Sequence, residues 1–384
     1  MRSAFSFRHA VRVLAAAGIA GALVAVAAAT PAAAVSSRAR PAPSFNGTVY
    51  AIAYRGDTVY VGGSFTAVSV RGRTVARKRL AAFSARTGAL LNWKPTVNGT
   101  VKSLAVAGTG VYAAGTFGTV SGVRRDAVVR LDATSGRVSR FAHSVTGEAI
   151  TLAVGNGRLY LGGEFRAVDG SPRGNLAAFS LSNGSLDRAW KPKADDRVET
   201  LATYGKRVYL GGGFHRVNGV RAAGRLAAVT ATGGVLVRGF LPKPPAKVFG
   251  LAVDLKGVYA ATGGAGGRAV AYTTAGRVRW THLFNGDAHG ITTLGGTTYV
   301  GGHFDTACRA PSTIRQLGCV NGSVSRVKLA ALDGRGRLTS WNPRANGVVG
   351  VRILVTNRAR HEIGAGGEFT AVGGARRERY ASFR

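Results

Sequence analysis

The chain has 384 residues and a formal net charge of +35, because 52 lysines and arginines outnumber 17 aspartates and glutamates. Glycine occurs 56 times, about twice its usual share, whereas methionine occurs once. This composition argues against long helices. It favours many short strands joined by glycine turns, arranged as one large repeat fold or as two domains.

The N-terminal segment has the pattern of a secretory signal peptide. Arg2, Arg8 and Arg12 accompany the apolar run VLAAAGIAGALVAVAAAT, and small residues follow up to Ala34. We therefore predict a signal peptide over residues 1–34, a linker over 35–44 and a folded domain over 45–384. The protein would be secreted, with no membrane segment after cleavage. A retained anchor is the alternative, because the apolar run is long enough to span a bilayer.

A short motif that combines glycine with phenylalanine recurs along the chain. It first appears as VYVGGSF, and its phenylalanines are Phe65, Phe117, Phe165, Phe214, Phe304 and Phe369. An eroded copy around Tyr259 lies between the fourth and the last two. The motif therefore marks seven repeat units, and repeats of this length are typical of solenoids and propellers.

Each unit contains four segments that resemble strands. In the first unit they read TVYAIAY, TVYVGGSF, RLAAFS and ALLNWK, separated by turn residues. We predict an all-β fold, a monomeric seven-bladed β-propeller of four-stranded blades. Six or eight blades stay open, because the fifth unit is eroded. Since the last unit ends at its third strand, we predict that Ser44 and Phe45 supply its fourth strand and close the ring, which removes open sheet edges.

Two resemblances follow from these segments. The unit VYVGGSFTAV…RLAAFSARTGALLNW resembles the delta-60 type propeller repeats of secreted actinobacterial proteins, over essentially all of residues 45–384. AFSARTGALLNW, AFSLSNGSLDRAW and ALDGRGRLTSW also resemble the tryptophan-docking pattern of pyrroloquinoline-quinone propellers. The second resemblance implies a similar way of locking blades together. It does not imply the cofactor, because the vicinal disulfide and the acidic calcium cluster of those enzymes are not visible in the sequence, and Asp132 and Asp333 alone keep the aspartate of the pattern.

The sequence contains no strong catalytic motif. It lacks a Gly-x-Ser-x-Gly elbow, a His-Glu-x-x-His helix and a phosphate-binding loop, so we predict no cofactor and no metal. One set of residues stands immediately before the repeat phenylalanines, where propeller symmetry would arrange them in a ring. Glu164, His303 and Glu368 in that ring could bind a cation or act as acids and bases. The alternative is that each merely ends its own strand.

Positive charge concentrates in the loops that follow the second strand of each unit. Equivalent loops of a propeller open on one face, so we predict a basic loop face formed by Arg71, Arg73, Arg77, Lys78, Arg124, Arg125, Arg173, Arg221, Arg225, Arg309, Arg315, Arg376 and Arg377. Such a face attracts polyanions. We expect an anionic cell-wall polymer, a polysaccharide or a protein as partner, and only non-specific binding of nucleic acid, because aromatic residues are not interleaved with the arginines.

The two cysteines, Cys308 and Cys319, lie in the corresponding loop of the sixth unit. In an exported protein they predict one disulfide, and the loop between Phe304 and Leu329 is about ten residues longer than its counterpart in the first unit. We therefore interpret the chain as a secreted, non-catalytic protein for binding or scaffolding at the cell envelope. An extracellular enzyme acting on anionic polysaccharide and a degenerate quinoprotein are the alternatives.

Overall fold

The computed structural model describes Met1 and residues 35–384. Apart from Met1, the predicted signal peptide lies outside the described residues. Strands make up nearly all the regular structure, and the two helices in the described part are 3-10 turns at Arg221–Ala223 and Arg358–Arg360. No helix in this part is long and apolar enough to cross a membrane.

Each repeat unit forms one antiparallel sheet in which the second strand lies between the first and the third. The first strands are Val49–Arg55, Thr100–Ala107, Val145–Gly155, Val198–Tyr204, Val248–Asp254, Ala288–Leu294 and Val351–Asn357. The second strands are Thr58–Gly63, Gly110–Thr116, Arg158–Val168, Arg207–Gly212, Gly257–Thr262, Thr297–Gly302 and Glu362–Gly367. The third strands are Leu80–Ser84, Val128–Asp132, Leu176–Ser180, Leu226–Thr230, Arg268–Tyr272, Leu329–Leu332 and Tyr380–Phe383.

The predicted fourth strand is complete only in the fifth unit, where it spans Val278–Leu283. In the other units that have one, it shrinks to a single bridge, such as that between Phe83 and Leu90. The reason is visible in the first unit. There the chain leaves the sheet after Leu91 so that the buried Trp93 reaches the second unit, and its indole Nε1 donates to the carbonyl of Asp132 at 2.9 Å.

Several of the loops that follow the second strands contain short hairpins. Their strands are Ala67–Val70 with Arg73–Ala76, Thr119–Val120 with Val123–Arg124, Thr306–Cys308 with Ser323–Ser325, and Ala371–Val372 with Ala375–Arg376. In the third unit, Ser171–Pro172 pairs with the extended end of the second strand. These hairpins lie beyond the main sheets and carry many of the arginines that the sequence placed on one face.

Neighbouring units are joined by equivalent contacts. Each first strand lies beside the first strand of the next unit, and the last of them, Val351–Asn357, lies beside Val49–Arg55. Aromatic hydrogen bonds support these contacts. Tyr60 donates its hydroxyl to the carbonyl of Ala133 at 2.7 Å, next to the Trp93 bond. The third unit makes the same pair of bonds to the fourth. Tryptophans thus bond to the next unit in the first and third units, whereas Trp280 Nε1 has no partner among the described residues. The tryptophan-docking resemblance stays a prediction.

The N-terminal segment corrects one prediction. Ser44–Phe45 does not extend the last sheet but pairs with Val68 and Ser69, because the Asn46 side chain binds the backbone that leads into that hairpin. The last third strand instead meets residues 36–40, where Ser36 donates to the carbonyl of Arg384 at 3.2 Å and Arg40 to that of Ser382 at 2.9 Å. These residues belong to the fold and are not a free linker.

Candidate functional site

In five units a polar side chain fixes where the loop after the second strand begins, and we call this arrangement a bracket. Asn46 Oδ1 accepts hydrogen bonds from the backbone N–H groups of Thr66 and Ala67, both at 2.9 Å. Because these donors follow the repeat phenylalanine, the bracket ties the loop to the entry of the first strand of the same unit. The same arrangement is made by Asn98, Asp195, Asn285 and Asn346. Equivalent loops therefore leave equivalent sheets in the same way.

Several arginines predicted to bind a ligand instead hold these loops. Arg77, Arg125, Arg173 and Arg377 each donate from Nη1 to the carbonyl of the preceding residue, over 2.7–2.9 Å. Nη2 of the first three also reaches the fourth segment of the same sheet, at Leu91, Ser139 and Asp187. We call this arrangement the arginine latch. Arg326, which was not among the predicted ligands, completes it in the sixth unit.

The prediction that Arg77 and Arg173 belong to a binding surface is wrong, because they are only 9% and 8% exposed. Burial lowers the pKa of both guanidinium groups, and backbone carbonyls take the place of water around them. Arg225 also contacts backbone, since its Nη1 donates to the carbonyl of Pro244 at 3.3 Å. Arg125 and Arg377 remain partly accessible but are bound to carbonyls in the same manner.

The remaining predicted cations are exposed. Arg376 pairs with Glu378 at 2.8 Å. Within residues 35–384, the others have no hydrogen-bonding or ion-pairing partner for their side chains, and they are Arg71, Arg73, Lys78, Arg124, Arg221, Arg309 and Arg315. Because equivalent brackets position the loops, these cations extend from the same end of their sheets.

A cavity of about 990 Å³ is lined by the first strands of all seven units. In every unit the first strand has a β-bulge near its start, and the bulged residue faces no partner across the ladder. All seven of these residues line the cavity, and they are Tyr50, Lys102, Ile150, Glu199, Phe249, His289 and Arg352. Bulges commonly redirect one side chain, and here they create a ring of unlike side chains inside a uniform repeat.

Comparison with known proteins bears on the architecture alone. No protein-family profile matches the chain, and no curated protein is similar to it in sequence. Among solved structures, the WD40 β-propeller domain of Doa1 is similar with a TM-score of 0.58 and 12% identity, over 90% of this chain and 96% of that one. The chain folds as a β-propeller.

Two further solved structures are less similar to this propeller. The computationally designed Ika8 protein has a TM-score of 0.49 at 12% identity, with 88% of this chain and 98% of that chain covered. BamB from Moraxella catarrhalis has a TM-score of 0.49 at 15% identity, with 90% and 99% covered. The delta-60 resemblance has no matching sequence family and stays a prediction.

Charged side chains crowd one mouth of the propeller cavity. Lys102 Nζ lies 3.0 Å from Glu148 Oε2, and Arg197 Nη1 lies 3.4 Å from the same oxygen. Arg197 also pairs with Glu199 at 3.0 Å, and Lys247 pairs with Glu199 as well. The Lys102 hydrogen bond lowers the pKa of Glu148, with help from the charges of Lys102 and Arg197, although burial opposes the shift. The cations of this mouth are thus largely neutralised by protein carboxylates.

The predicted ring of Glu164, His303 and Glu368 does not line the cavity. Glu164 pairs with Arg197 at 3.2 Å, whereas Glu368 pairs with Arg352 at 2.6 Å, and His303 is exposed. In the described part of the chain, no three His, Cys, Asp or Glu side chains lie close enough to hold a metal. Both carboxylates are therefore bound to different arginines, and an acid–base role for the three stays a prediction.

The ring of bulged residues is the feature that sequence reasoning missed. Its signal was present, because five of the seven members directly follow a valine that packs beside a glycine of the neighbouring unit, as Lys102 follows Val101. A position that varies between Tyr, Lys, Ile, Glu, Phe, His and Arg inside an otherwise regular repeat is a candidate for binding rather than packing. The bulge that turns it toward the cavity could be seen only in three dimensions.

Proposed function

We propose that this protein is a secreted, monomeric, non-catalytic propeller that binds an anionic polymer of the cell envelope through its basic loop face. The proposal includes seven blades, closed into a ring by residues 36–40. Support for closure comes from the hydrogen bonds of Ser36 and Arg40 to the last strand, and from the contact between Val351–Asn357 and Val49–Arg55.

The observation that carries the function is the group of seven exposed cations without protein partners at one end of the sheets. A cation that already has a carboxylate partner gains little from a second anion, as at the cavity mouth. A free guanidinium on the loop face still offers its full set of donors to a polyanion. The presence of one disulfide, between Cys308 and Cys319, agrees with export to an oxidising compartment.

Binding of the purified exported protein to teichoic acid, acidic polysaccharide and DNA at low and at high salt tests this function. We expect binding to the anionic wall polymer that weakens by orders of magnitude between about 50 mM and 1 M salt, because screening and counterion uptake oppose it. Binding that is indifferent to salt, or confined to DNA, would contradict the proposal.

A matched pair of variants locates the contact. The loop-face variant combines Arg71→Gln, Arg73→Gln, Lys78→Gln and Arg124→Gln. The control removes the same charge from exposed side chains at the other end of the sheets, by Arg86→Gln, Lys206→Gln, Lys256→Gln and Arg335→Gln. We expect the first variant alone to lose most of its polymer affinity. An equal loss in both variants would mean that net charge, and not the loop face, is responsible.

A further inference from the structure

A second cavity, of about 720 Å³, lies on the basic loop face. One wall is the loop of the fourth unit, with Arg216, Arg221 and Arg225. Lys243 and the proline pair after it, in the segment that leads to the fifth unit, form another. The third is the disulfide loop of the sixth unit, which contributes Ile314 and Arg315. Three segments that are far apart in the sequence therefore converge on one pocket.

The disulfide loop reaches this pocket because the fifth unit leaves space for it. There the second and third strands are joined by only five residues, 263–267, and no hairpin covers that sheet. The insertion of the sixth unit crosses the gap. Ser312 bridges to Thr281, Arg268 Nη2 donates to the carbonyl of Gln316 at 2.8 Å, and Ile314 packs on the apolar cluster between the fourth and fifth units. The insertion is thereby fixed at several points in addition to its disulfide.

The charge of this pocket is strongly unbalanced. Five cations line it, but its one carboxylate, Asp195, already accepts the backbone N–H groups of His215 and Arg216, both at 2.8 Å. Arg225 donates to a backbone carbonyl. The side chains of the other four cations make no hydrogen bond or ion pair with any residue in the range 35–384. The pocket thus contrasts with the mouth of the central cavity, where carboxylates pair with the cations.

We propose that this pocket binds a sugar that carries a phosphate group. The pocket would be the specific subsite of the polymer-binding face, so this inference rests on the proposed function. Guanidinium groups can bind two oxygens of a phosphate at once. The pocket also holds more positive charge than a ligand with a single carboxylate would neutralise. Pro244, Pro245 and Ile314 supply an apolar wall for the carbon face of a sugar ring. The volume falls in the range of pockets that enclose small ligands.

Calorimetric titration with α-D-glucose 1-phosphate, glucuronate, glucose and inorganic phosphate tests the ligand class. We expect glucose 1-phosphate to bind most tightly and glucose not to bind. Equal or tighter binding of glucuronate, or of inorganic phosphate, would overturn the assignment to a phosphorylated sugar. Absence of saturable binding by all four would overturn the pocket as a ligand site.

Variants locate the binding. Arg216→Gln and Arg315→Gln remove cations from opposite walls, and each is expected to weaken glucose 1-phosphate at least tenfold. Arg86→Gln, an exposed arginine at the other end of the sheets, is the control and should leave this affinity unchanged. Equal effects of all three would overturn the pocket. Because Arg216 and Arg315 are exposed and their side chains make no hydrogen bond or ion pair within residues 35–384, folding is expected to be retained, and thermal unfolding checks it.

The double variant Cys308→Ser with Cys319→Ser tests the disulfide loop as the third wall. Binding of glucose 1-phosphate should weaken, because the loop that carries Arg315 is less constrained, and unchanged affinity would contradict its role. Failure of the subsite is distinguishable from failure of the general function. If Arg216→Gln and Arg315→Gln leave polymer binding intact while the loop-face quadruple variant abolishes it, the subsite is wrong and the proposed function stands.

Discussion

Individual glycines set the spacing of the sheets. The two glycines of the repeat motif permit close contacts with different neighbours. A Cβ on Gly62 would lie 2.5 Å from Val101 Cγ1 of the next unit, whereas a Cβ on Gly63 would lie 2.0 Å from the carbonyl oxygen of Thr48 in its own sheet. The first glycine therefore permits neighbouring units to approach, and the second permits the strands of one unit to pair across the bulge. With Val101 and the Thr48 carbonyl in these places, only a residue without a side chain avoids the two contacts.

Replacing Gly62 by valine should destabilise the protein by about 1–3 kcal/mol, as is usual for overpacking, because the first strand of the second unit has to move. Thermal unfolding measures the effect. Gly118→Ala is the matched control, since a Cβ there meets no atom within 4 Å and its φ is not positive. Unfolding temperatures that are the same for Gly62→Val and the wild type would disprove the close-approach interpretation.

His289, one of the bulged residues, should make stability depend on pH. Burial, with the charge of Arg352 and a smaller contribution from His303, lowers its pKa to about 4, although Asp287 and Glu199 oppose the shift. Between this value and the unfolded pKa near 6.5, the unfolded chain binds a proton that the folded chain does not. The free energy of unfolding should therefore fall as the pH decreases from about 7 to 4, by up to roughly 3 kcal/mol from this group.

Denaturant unfolding across this pH range, with His289→Gln alongside the wild type, measures that contribution. The variant should lose stability more gradually on acidification. Some pH dependence should persist, because burial also lowers the pKa of His282. An NMR titration that places the His289 midpoint near 6.5 would show that the imidazole is not held neutral by its surroundings.

Among the structural elements, the loops after the second strands combine a fixed base with a variable tip. The residue just before the third strand has a positive φ in six units, for example 70° at Arg79, and its N–H donates to the carbonyl of the repeat phenylalanine. The arginine latch lies two residues earlier. The base of each loop is thus held by backbone and arginine bonds, and its tip is free to carry different side chains.

Arg173→Lys should destabilise the protein by about 1–2 kcal/mol, because an ammonium cannot donate in a planar fork to two carbonyls at 2.8 and 3.4 Å. Arg71→Lys is the control, at an exposed loop tip whose side chain makes no hydrogen bond or ion pair within residues 35–384, and it should leave the unfolding temperature unchanged. Chemical denaturation compares the two. If Arg173→Lys were as stable as the wild type, charge and not the guanidinium geometry would hold the loop.

At the scale of the whole molecule, three kinds of contact link the start of the described residues 35–384 to the last two units. A Cβ on Gly366 would lie 2.7 Å from Val49 Cγ1, which repeats the close approach seen between other units. Trp341 Nε1 donates to the carbonyl of Ser36 at 3.2 Å, and the backbone of residues 36–40 bonds to the last strand. These contacts make the N-terminal segment responsible for covering the edge of the last sheet.

A chain that begins at residue 42 should therefore be much less stable than one that begins at residue 35. It loses the partner of Trp341 and exposes the edge of Tyr380–Phe383, which also favours aggregation. Thermal unfolding and light scattering of the two forms measure both effects. Equal unfolding temperatures and equal solubility would contradict the proposed closure by residues 36–40.

The repeated motif was enough to predict an all-β propeller and the close approach at Gly62, because both depend on local patterns that recur with one phase along the chain. The disulfide between Cys308 and Cys319 was also predictable, since two cysteines allow only one pairing within the chain. Residues whose side chains bind backbone carbonyls were harder to interpret. Arg77 and Arg173 look like surface cations in the sequence, and only the arrangement of carbonyls around them explains why they are buried.

The sequence by itself therefore determined the repeat, the strand content and the excess of positive charge, all of which are properties of short segments or of composition. Tertiary structure alone decided which cations are free. It brought Arg216, Lys243 and Arg315 to one pocket, although they come from three different units or connections, and it paired Arg197 and Arg352 with carboxylates. The physical reason is that the local field at a charge depends on neighbours in space, which chain order does not reveal.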